Sequence, residues 1–151
     1  KSLILLDYAL DHGIHTVDTA DMYSTWVEGH KGGESETVIG EWFKRKPSNR
    51  EKTTLITKVG SALADDKKGL SKKYIKQAVE ASLKRLNTDY IDVYLSHYPD
   101  PETSIEETLS AYADLLQDGK VLKIGASNYS AQQLEDALRV SQTQGLTKYE
   151  V

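Results

Sequence analysis

Six polar side chains lie at or just beyond the ends of four apolar segments of the sequence. They are Asp18 and Tyr23 at the end of the first segment, Lys58 at the end of the second, His97 at the end of the third, and Ser127 with Asn128 at the end of the fourth. Each segment is typical of a buried strand, which has no packing need for charged or amide groups. In parallel α/β folds, functional groups gather at the carboxyl ends of strands, so we expect these side chains to meet in one cleft.

These residue types suit the reduction of a carbonyl group, which needs a hydride source, a proton donor and groups that orient the carbonyl oxygen. Tyrosine is a weak acid at neutral pH, and a nearby ammonium such as that of Lys58 makes its proton easier to release, so Tyr23 is the predicted donor. The carboxylate of Asp18 would keep a buried lysine charged. His97 is predicted to donate a hydrogen bond to the substrate oxygen.

Two further groups suit a nicotinamide cofactor and its substrate. The hydroxyl of Ser127 and the amide of Asn128 can hold an uncharged carboxamide. Trp26 lies three residues after Tyr23 in a polar loop, where we expect it to line the substrate pocket beside Tyr23 and His97. An exposed loop aromatic is the alternative for Trp26.

The elements that must position these groups alternate between amphipathic helix and short strand. Strands are predicted at residues 14–19, 53–59, 91–97 and 121–127, with a fifth beginning near residue 149. Helices are predicted to begin near residues 2, 34, 71, 104 and 130. Strands separated by helices predict a parallel sheet in one α/β domain over residues 1–151, either an open doubly wound sheet or a barrel.

Four sequence motifs resemble the aldo-keto reductase family in order and in strand placement. They are DTADMY at 18–23, ITK at 56–58, SLKRLNTDYIDVYLSHYPD at 82–100 and GKVLKIGASN at 119–128. The resemblance covers nearly the whole chain, and four motifs in register are far more specific than any one of them. It implies a parallel (β/α)8 TIM barrel rather than an open sheet.

The resemblance also implies roles for individual residues. Tyr23 would be the proton donor of a catalytic tetrad that consists of Asp18, Tyr23, Lys58 and His97. NADPH or NADH would be the hydride donor, and its nicotinamide end would contact Asp18, Ser127 and Asn128. Tyr23, Trp26 and His97 would contact a small-molecule aldehyde or ketone.

Compared with the whole family barrel, the chain corresponds to the helix before strand 2 through the start of strand 6. The first strand and the C-terminal units, which hold the adenosine end of the cofactor, have no counterpart here. We therefore expect a partial barrel with two open sheet edges, which favour self-association. We also expect poor activity from the chain by itself.

Each candidate also has a structural interpretation. Asp18 is a common loop cap at a strand exit, Tyr23 one loop tyrosine among nine, and His97 a satisfied core histidine. Ser127 and Asn128 can form a turn that leads into the next helix. A lysine inside a buried strand is harder to explain without a charged partner.

Composition excludes several classes of partner and site. The net charge is -4 over 151 residues, so no positive field is available to bind nucleic acid. The chain has no cysteine, which excludes disulfides and fits a cytoplasmic location. We expect no metal site, because the histidines lack metal-ligand spacing, and no membrane span, because the apolar run at residues 3–10 is short and interrupted by Asp7.

Three functions remain open at the level of the sequence. The first is NAD(P)H-dependent reduction of aldehydes or ketones. The second is a non-catalytic relative that serves as a binding or regulatory subunit, or an inactive fragment of the enzyme. The third, carboxylate-based hydrolysis, is weak because no second acid occupies a matching strand exit and Lys58 would have no role.

Overall fold

The structure is a computed structural model that describes residues 1–151. Four parallel strands form one sheet in the order β1-β2-β3-β4. Their bounds are β1 Thr16–Asp18, β2 Thr54–Val59, β3 Ile91–Ser96 and β4 Val121–Ala126. Sequential strands are neighbours throughout, as they are in a (β/α)8 barrel. The sheet of this chain is not closed.

Six helices connect or flank the strands. Their bounds are α1 Ser2–Asp11, α2 Glu34–Arg45, α3 Ser48–Glu51, α4 Lys72–Leu86, α5 Ile105–Gln117 and α6 Ala131–Gln144. The prediction of an α/β fold with alternating helices and parallel strands is confirmed. None of the helices combines the length and the apolar character needed to cross a bilayer.

Side-chain caps explain where the long helices begin. Ser71, Ser104 and Ser130 each accept a hydrogen bond from a backbone amide three residues later, which satisfies one of the unpaired amides of the first turn. Ser130 forms a full capping box with Gln133. The caps fix the point at which each strand exit turns into the following helix.

One cluster of 23 buried apolar side chains forms the core. It contains residues of the sheet and of α2, α4 and α5, among them Trp42, Leu55, Ile75 and Tyr112. Helices α2 and α4 approach closely at Gly40, where a Cβ atom would overlap the backbone carbonyl oxygen of Arg85. This close contact sets the position of α2 over the sheet.

Three details differ from the sequence-based expectations. The first strand spans three residues rather than six, and the short helix α3 was not predicted. Residues 149–151 were expected to begin a strand and carry no strand assignment. They nevertheless run beside β4, because the Glu150 amide donates to Ile124 O at 2.9 Å and the Ala126 amide to Val151 O at 3.0 Å.

Candidate active site

A buried ammonium, that of Lys58, lies at the centre of the candidate site. Lys58 Nζ is 2.7 Å from each carboxylate oxygen of Asp18, 2.9 Å from the backbone oxygen of Thr19 and 2.9 Å from Tyr23 Oη. The side chain of Lys58 is 7% exposed and that of Asp18 is 48% exposed. The lysine is thus removed from water while its carboxylate partner keeps contact with solvent, which lowers the cost of burying the pair.

The strand register explains why these side chains meet. Asp18 pairs with Ile56, and Lys58 pairs with Leu95. Residues paired across neighbouring strands share a face, and so do residues two apart on one strand. Asp18 and Lys58 therefore point to the same side of the sheet, and His97 follows Leu95 by two residues at the exit of β3.

Tyr23 reaches Lys58 from the loop after β1. Its hydroxyl oxygen accepts a hydrogen bond from Lys58 Nζ, and its own proton has only a long contact, 3.4 Å, with an Asp18 oxygen. The ammonium also lies 4.7 Å from the centre of the Tyr23 ring. The phenol is therefore held by a cation on one side, while its proton has no strong acceptor within the chain.

His97 is the next side chain of the candidate site and is 5% exposed. The rings of Tyr23 and His97 make an edge-to-face contact, with their centroids 5.9 Å apart. Burial lowers the pKa of His97, the Lys58 ammonium lowers it further, and the Asp18 carboxylate acts in the opposite direction. A lowered pKa favours the neutral imidazole at neutral pH.

Two neighbours of His97 were not among the predicted site residues. Ser61 Oγ lies 3.1 Å from His97 Nδ1. The ring of Tyr98 stacks on the imidazole with centroids 4.9 Å apart and an angle of 16°, and Tyr98 is half exposed. In the sequence, only its position next to His97 could have indicated a role for Tyr98. Ser61 is a single serine after β2, and nothing in the sequence marked it as a site residue.

Ser127 and Asn128 lie at the exit of β4, beside His97. Asn128 Nδ2 donates to His97 O at 2.8 Å and to Ser127 Oγ at 3.1 Å. Asn128 adopts φ 60°, a left-handed conformation that asparagine tolerates better than most residues. Ser127 and Asn128, two of the three residues predicted to bind the cofactor, therefore lie at the rim that carries Asp18, Lys58 and His97.

The chemistry of these two side chains fits a carboxamide. The hydroxyl hydrogen of Ser127 and Oδ1 of Asn128 have no partner within the chain, and Asn128 is exposed. They offer one donor and one acceptor, which match the carbonyl oxygen and the amino group of a carboxamide.

The structure has no group of three or more His, Cys, Asp or Glu side chains that could hold a metal ion.

Trp26 extends the site outward. Its ring centroid lies 6.1 Å from that of Tyr23, and its side chain is 71% exposed. It is therefore close enough to touch a substrate that rests on Tyr23, but no neighbouring residue encloses it. Its assignment to the substrate pocket stays a prediction.

A buried carboxyl group, that of Asp21, lies in the loop that carries Tyr23. The Asp21 amide donates to Lys58 O at 3.3 Å, and Asp21 O accepts from the Gly33 amide at 2.7 Å. The carboxylate oxygens of Asp21 have no hydrogen-bond partner. Burial, and then the nearby Glu36 carboxylate, raise the pKa of Asp21 from 3.8 to about 7.

Glu36 anchors the same region from α2. It is fully buried and accepts hydrogen bonds from Thr57 Oγ1 at 2.6 Å and from Arg85 Nε at 2.7 Å. The three residues come from α2, β2 and α4, so they lock the outer face of β2 in place behind Lys58. Sequence periodicity gave no signal for this network, because its members are far apart along the chain.

Comparison with known proteins finds one family that the chain matches. Residues 1–148 match the model of the aldo/keto reductase family. The chain is 40% identical over 139 residues to "Uncharacterized oxidoreductase YrpG" of Bacillus subtilis, an alignment that covers 88% of the chain and 42% of that protein. It is 35% identical over 173 residues to "Aldo-keto reductase dtxS3" of Metarhizium robertsii, with 99% and 45% covered.

A third relative has a different kind of name. The chain is 40% identical over 148 residues to "Putative voltage-gated potassium channel subunit beta" of Schizosaccharomyces pombe, which covers 95% of the chain and 39% of that protein. The chain spans less than half the length of all three relatives.

Proposed function

Since this chain belongs to the aldo/keto reductase family, we propose that it carries the catalytic residues of an oxidoreductase that reduces aldehydes or ketones to alcohols. NADPH or NADH, when bound, supplies the hydride. The observation that carries the proposal is the contact of one buried ammonium, Lys58 Nζ, with both the Asp18 carboxylate and the Tyr23 hydroxyl.

Tyr23 is the proposed proton donor. Its oxygen already accepts a hydrogen bond from Lys58, so its own hydrogen can be directed toward a substrate oxygen in the cleft. When the proton leaves, the negative charge forms on an oxygen 2.9 Å from the ammonium. A positive charge that is already in place beside the oxygen that becomes negative stabilises the transition state, and the protein does not have to reorganise during the reaction.

Asp18 and His97 complete the proposed site. Asp18 neutralises Lys58 and keeps the ammonium directed at the tyrosine. The neutral imidazole of His97 orients the carbonyl oxygen toward Tyr23, with Trp26 further out against the rest of the substrate. Ser127 and Asn128 hold the carboxamide of the cofactor at the adjoining strand exit.

Replacing Tyr23 by Phe tests the proposal in the intact natural polypeptide. The variant keeps the ring and removes the donated proton, so we expect kcat for a panel of aldehydes to fall by about 100-fold or more. The affinity for NADPH and for NADH, measured by titration, should stay unchanged, because the hydroxyl acts only in the chemical step.

Tyr8→Phe is the matched control, because it makes the same chemical change at a 61% exposed position on α1. Its kcat should equal that of the unmodified protein. Undiminished aldehyde reduction by the Tyr23→Phe variant would contradict the proposal.

The similarity to a putative potassium channel β subunit favours a second candidate function, a cofactor-binding regulatory subunit. This candidate predicts that NADPH binds but that no aldehyde in the panel accelerates its oxidation. Steady-state NADPH oxidation by the unmodified protein separates the two candidates. The intact tetrad geometry supports the enzyme.

A further inference from the structure

The imidazole of His97 has two nitrogens with different surroundings. Nδ1 lies 3.1 Å from the hydroxyl of Ser61 in a buried contact. Nε2 has no hydrogen-bond partner within the chain, and the ring borders Tyr23. Which nitrogen carries the proton decides whether His97 donates or accepts a hydrogen bond in the cleft, and the partner of the other nitrogen sets that choice.

The hydroxyl of Ser61 has no partner other than His97 Nδ1, and Ser61 is 8% exposed. If Nδ1 carried the proton, it would donate to Oγ and leave the hydroxyl hydrogen buried without an acceptor. If Ser61 donates to the lone pair of Nδ1, both groups are satisfied. Because leaving a buried polar hydrogen unpaired is costly, the second arrangement is favoured.

The backbone explains how Ser61 reaches this position. Gly60, directly after β2, adopts φ +114°, and a Cβ atom there would lie 2.8 Å from a methyl carbon of Leu70. Only glycine adopts this conformation without strain. The turn at Gly60 places Ser61 beside the exit of β3, where the His97 amide donates to Val59 O at 2.8 Å.

We propose that Ser61 is a positioning residue that holds His97 in the tautomer with its proton on Nε2, so that the ring presents a donor to the substrate carbonyl. This inference rests on the proposed reductase function for its purpose, but the tautomer itself is a property of the protein without ligand. The ring of Tyr98, which stacks on the His97 imidazole, limits rotation of that imidazole.

The surroundings of this imidazole differ in their effect on its charge. Burial and the Lys58 ammonium favour the neutral ring, and the Asp18 carboxylate acts in the opposite direction. Tyr23 and Tyr98 contribute ring contacts only. No carboxylate competes with Ser61 for a hydrogen bond to Nδ1.

The test is NMR of the intact polypeptide labelled with 15N-histidine, with the His97 signals assigned by their loss in a His97→Asn variant. We expect a lone-pair type shift at Nδ1 and a protonated type shift at Nε2. Ser61→Ala should move the two shifts toward each other, because both tautomers then become populated. Ser61→Thr keeps the hydroxyl and should restore the original shifts.

Aldehyde reduction gives a second readout. Ser61→Ala should lower kcat/KM by about 3- to 10-fold, the scale of one neutral hydrogen bond, and Ser61→Thr should recover most of it. Unchanged nitrogen shifts in Ser61→Ala, or a protonated Nδ1 in the unmodified protein, would overturn the inference. If Ser61→Ala changes the nitrogen shifts of His97 but neither the unmodified protein nor a Ser61 variant reduces any aldehyde, the role of Ser61 stands and the reductase proposal fails.

Discussion

The hydrogen bonds of Lys58 dominate the chemistry of the site at the scale of single residues. All its donors are used on Asp18, Thr19 O and Tyr23, and its side chain is almost fully buried. A lysine in this position cannot bind a ligand directly without giving up one of these partners. Its role in the proposed reaction is therefore to act on Tyr23 rather than on the substrate.

Replacing Lys58 by Met tests this assignment, because methionine fills similar space and carries no charge. We expect kcat for aldehydes to fall by about 100-fold or more, the range of a lost acid–base contribution, with cofactor affinity retained. Steady-state kinetics and a cofactor titration measure the two effects. A matched Lys44→Met change on the exposed side of α2 should alter neither, and an unchanged kcat in Lys58→Met would contradict the assignment.

Asp21 predicts a pH dependence of stability. Its pKa is raised from 3.8 to about 7, so the folded state holds a proton that the unfolded state loses above pH 4. The folded state is therefore progressively destabilised as the pH rises from about 4 to about 7, by an amount on the order of a few kcal/mol. The titratable groups that interact electrostatically with Asp21 include Glu36, Arg85, Tyr74, Tyr94 and Tyr112.

Asp21→Asn removes this titration. We expect the variant to gain stability over the unmodified protein as the pH is raised from 5 to 8, measured as the free energy of unfolding in urea. Asp11→Asn, at an exposed position, should show no such trend. An equal stability difference at both pH values would show that Asp21 does not titrate in this range.

At the scale of elements, the packing of α2 on α4 depends on the absence of a side chain at Gly40. Alanine has the higher helix propensity, but its Cβ would overlap the carbonyl oxygen of Arg85. We expect Gly40→Ala to lower the free energy of unfolding by about 1–3 kcal/mol, the usual cost of overpacking. Thermal or urea unfolding measures it.

Glu41→Ala is the control for this prediction, because residue 41 is exposed on the same helix. It should change stability by only a few tenths of a kcal/mol. If Gly40→Ala proves as stable as this control, α2 and α4 can separate without cost.

The elements were largely predictable from the sequence, because period-2 and period-3.6 patterns report which faces are buried. The positions of Asp18, Lys58 and His97 at the ends of their predicted parallel strands were sufficient to predict that they lie at one rim. The four-residue helix α3 was missed because it is too short to show a period. The pairing of Glu36 with Arg85 and of Ser61 with His97 was missed because such contacts depend on helix position and loop direction.

At the scale of the whole molecule, two kinds of surface that favour association remain exposed. Ile4, Leu5 and Tyr8 of α1 are 74%, 68% and 61% exposed, and β1 pairs only with β2. Exposed apolar side chains and an unpaired strand edge each favour association. We therefore propose that the 151-residue chain associates with itself as its concentration rises.

Light scattering over a range of concentrations measures this association. Leu5→Glu should weaken it, because a charge would then have to be buried at the contact, whereas Lys44→Glu on α2 should not. A monomer mass at every concentration would contradict the proposal.

The hydrogen bond from Asn128 to the backbone oxygen of His97 would link the two proposed binding events, that of the cofactor and that of the carbonyl substrate. A dinucleotide that binds the Asn128 side chain would also restrict the backbone of His97. A carbonyl compound that binds afterwards would then lose less conformational entropy in ordering the imidazole. We expect whichever ligand arrives first to improve the affinity for the second, and linkage requires the factor to be the same in both directions.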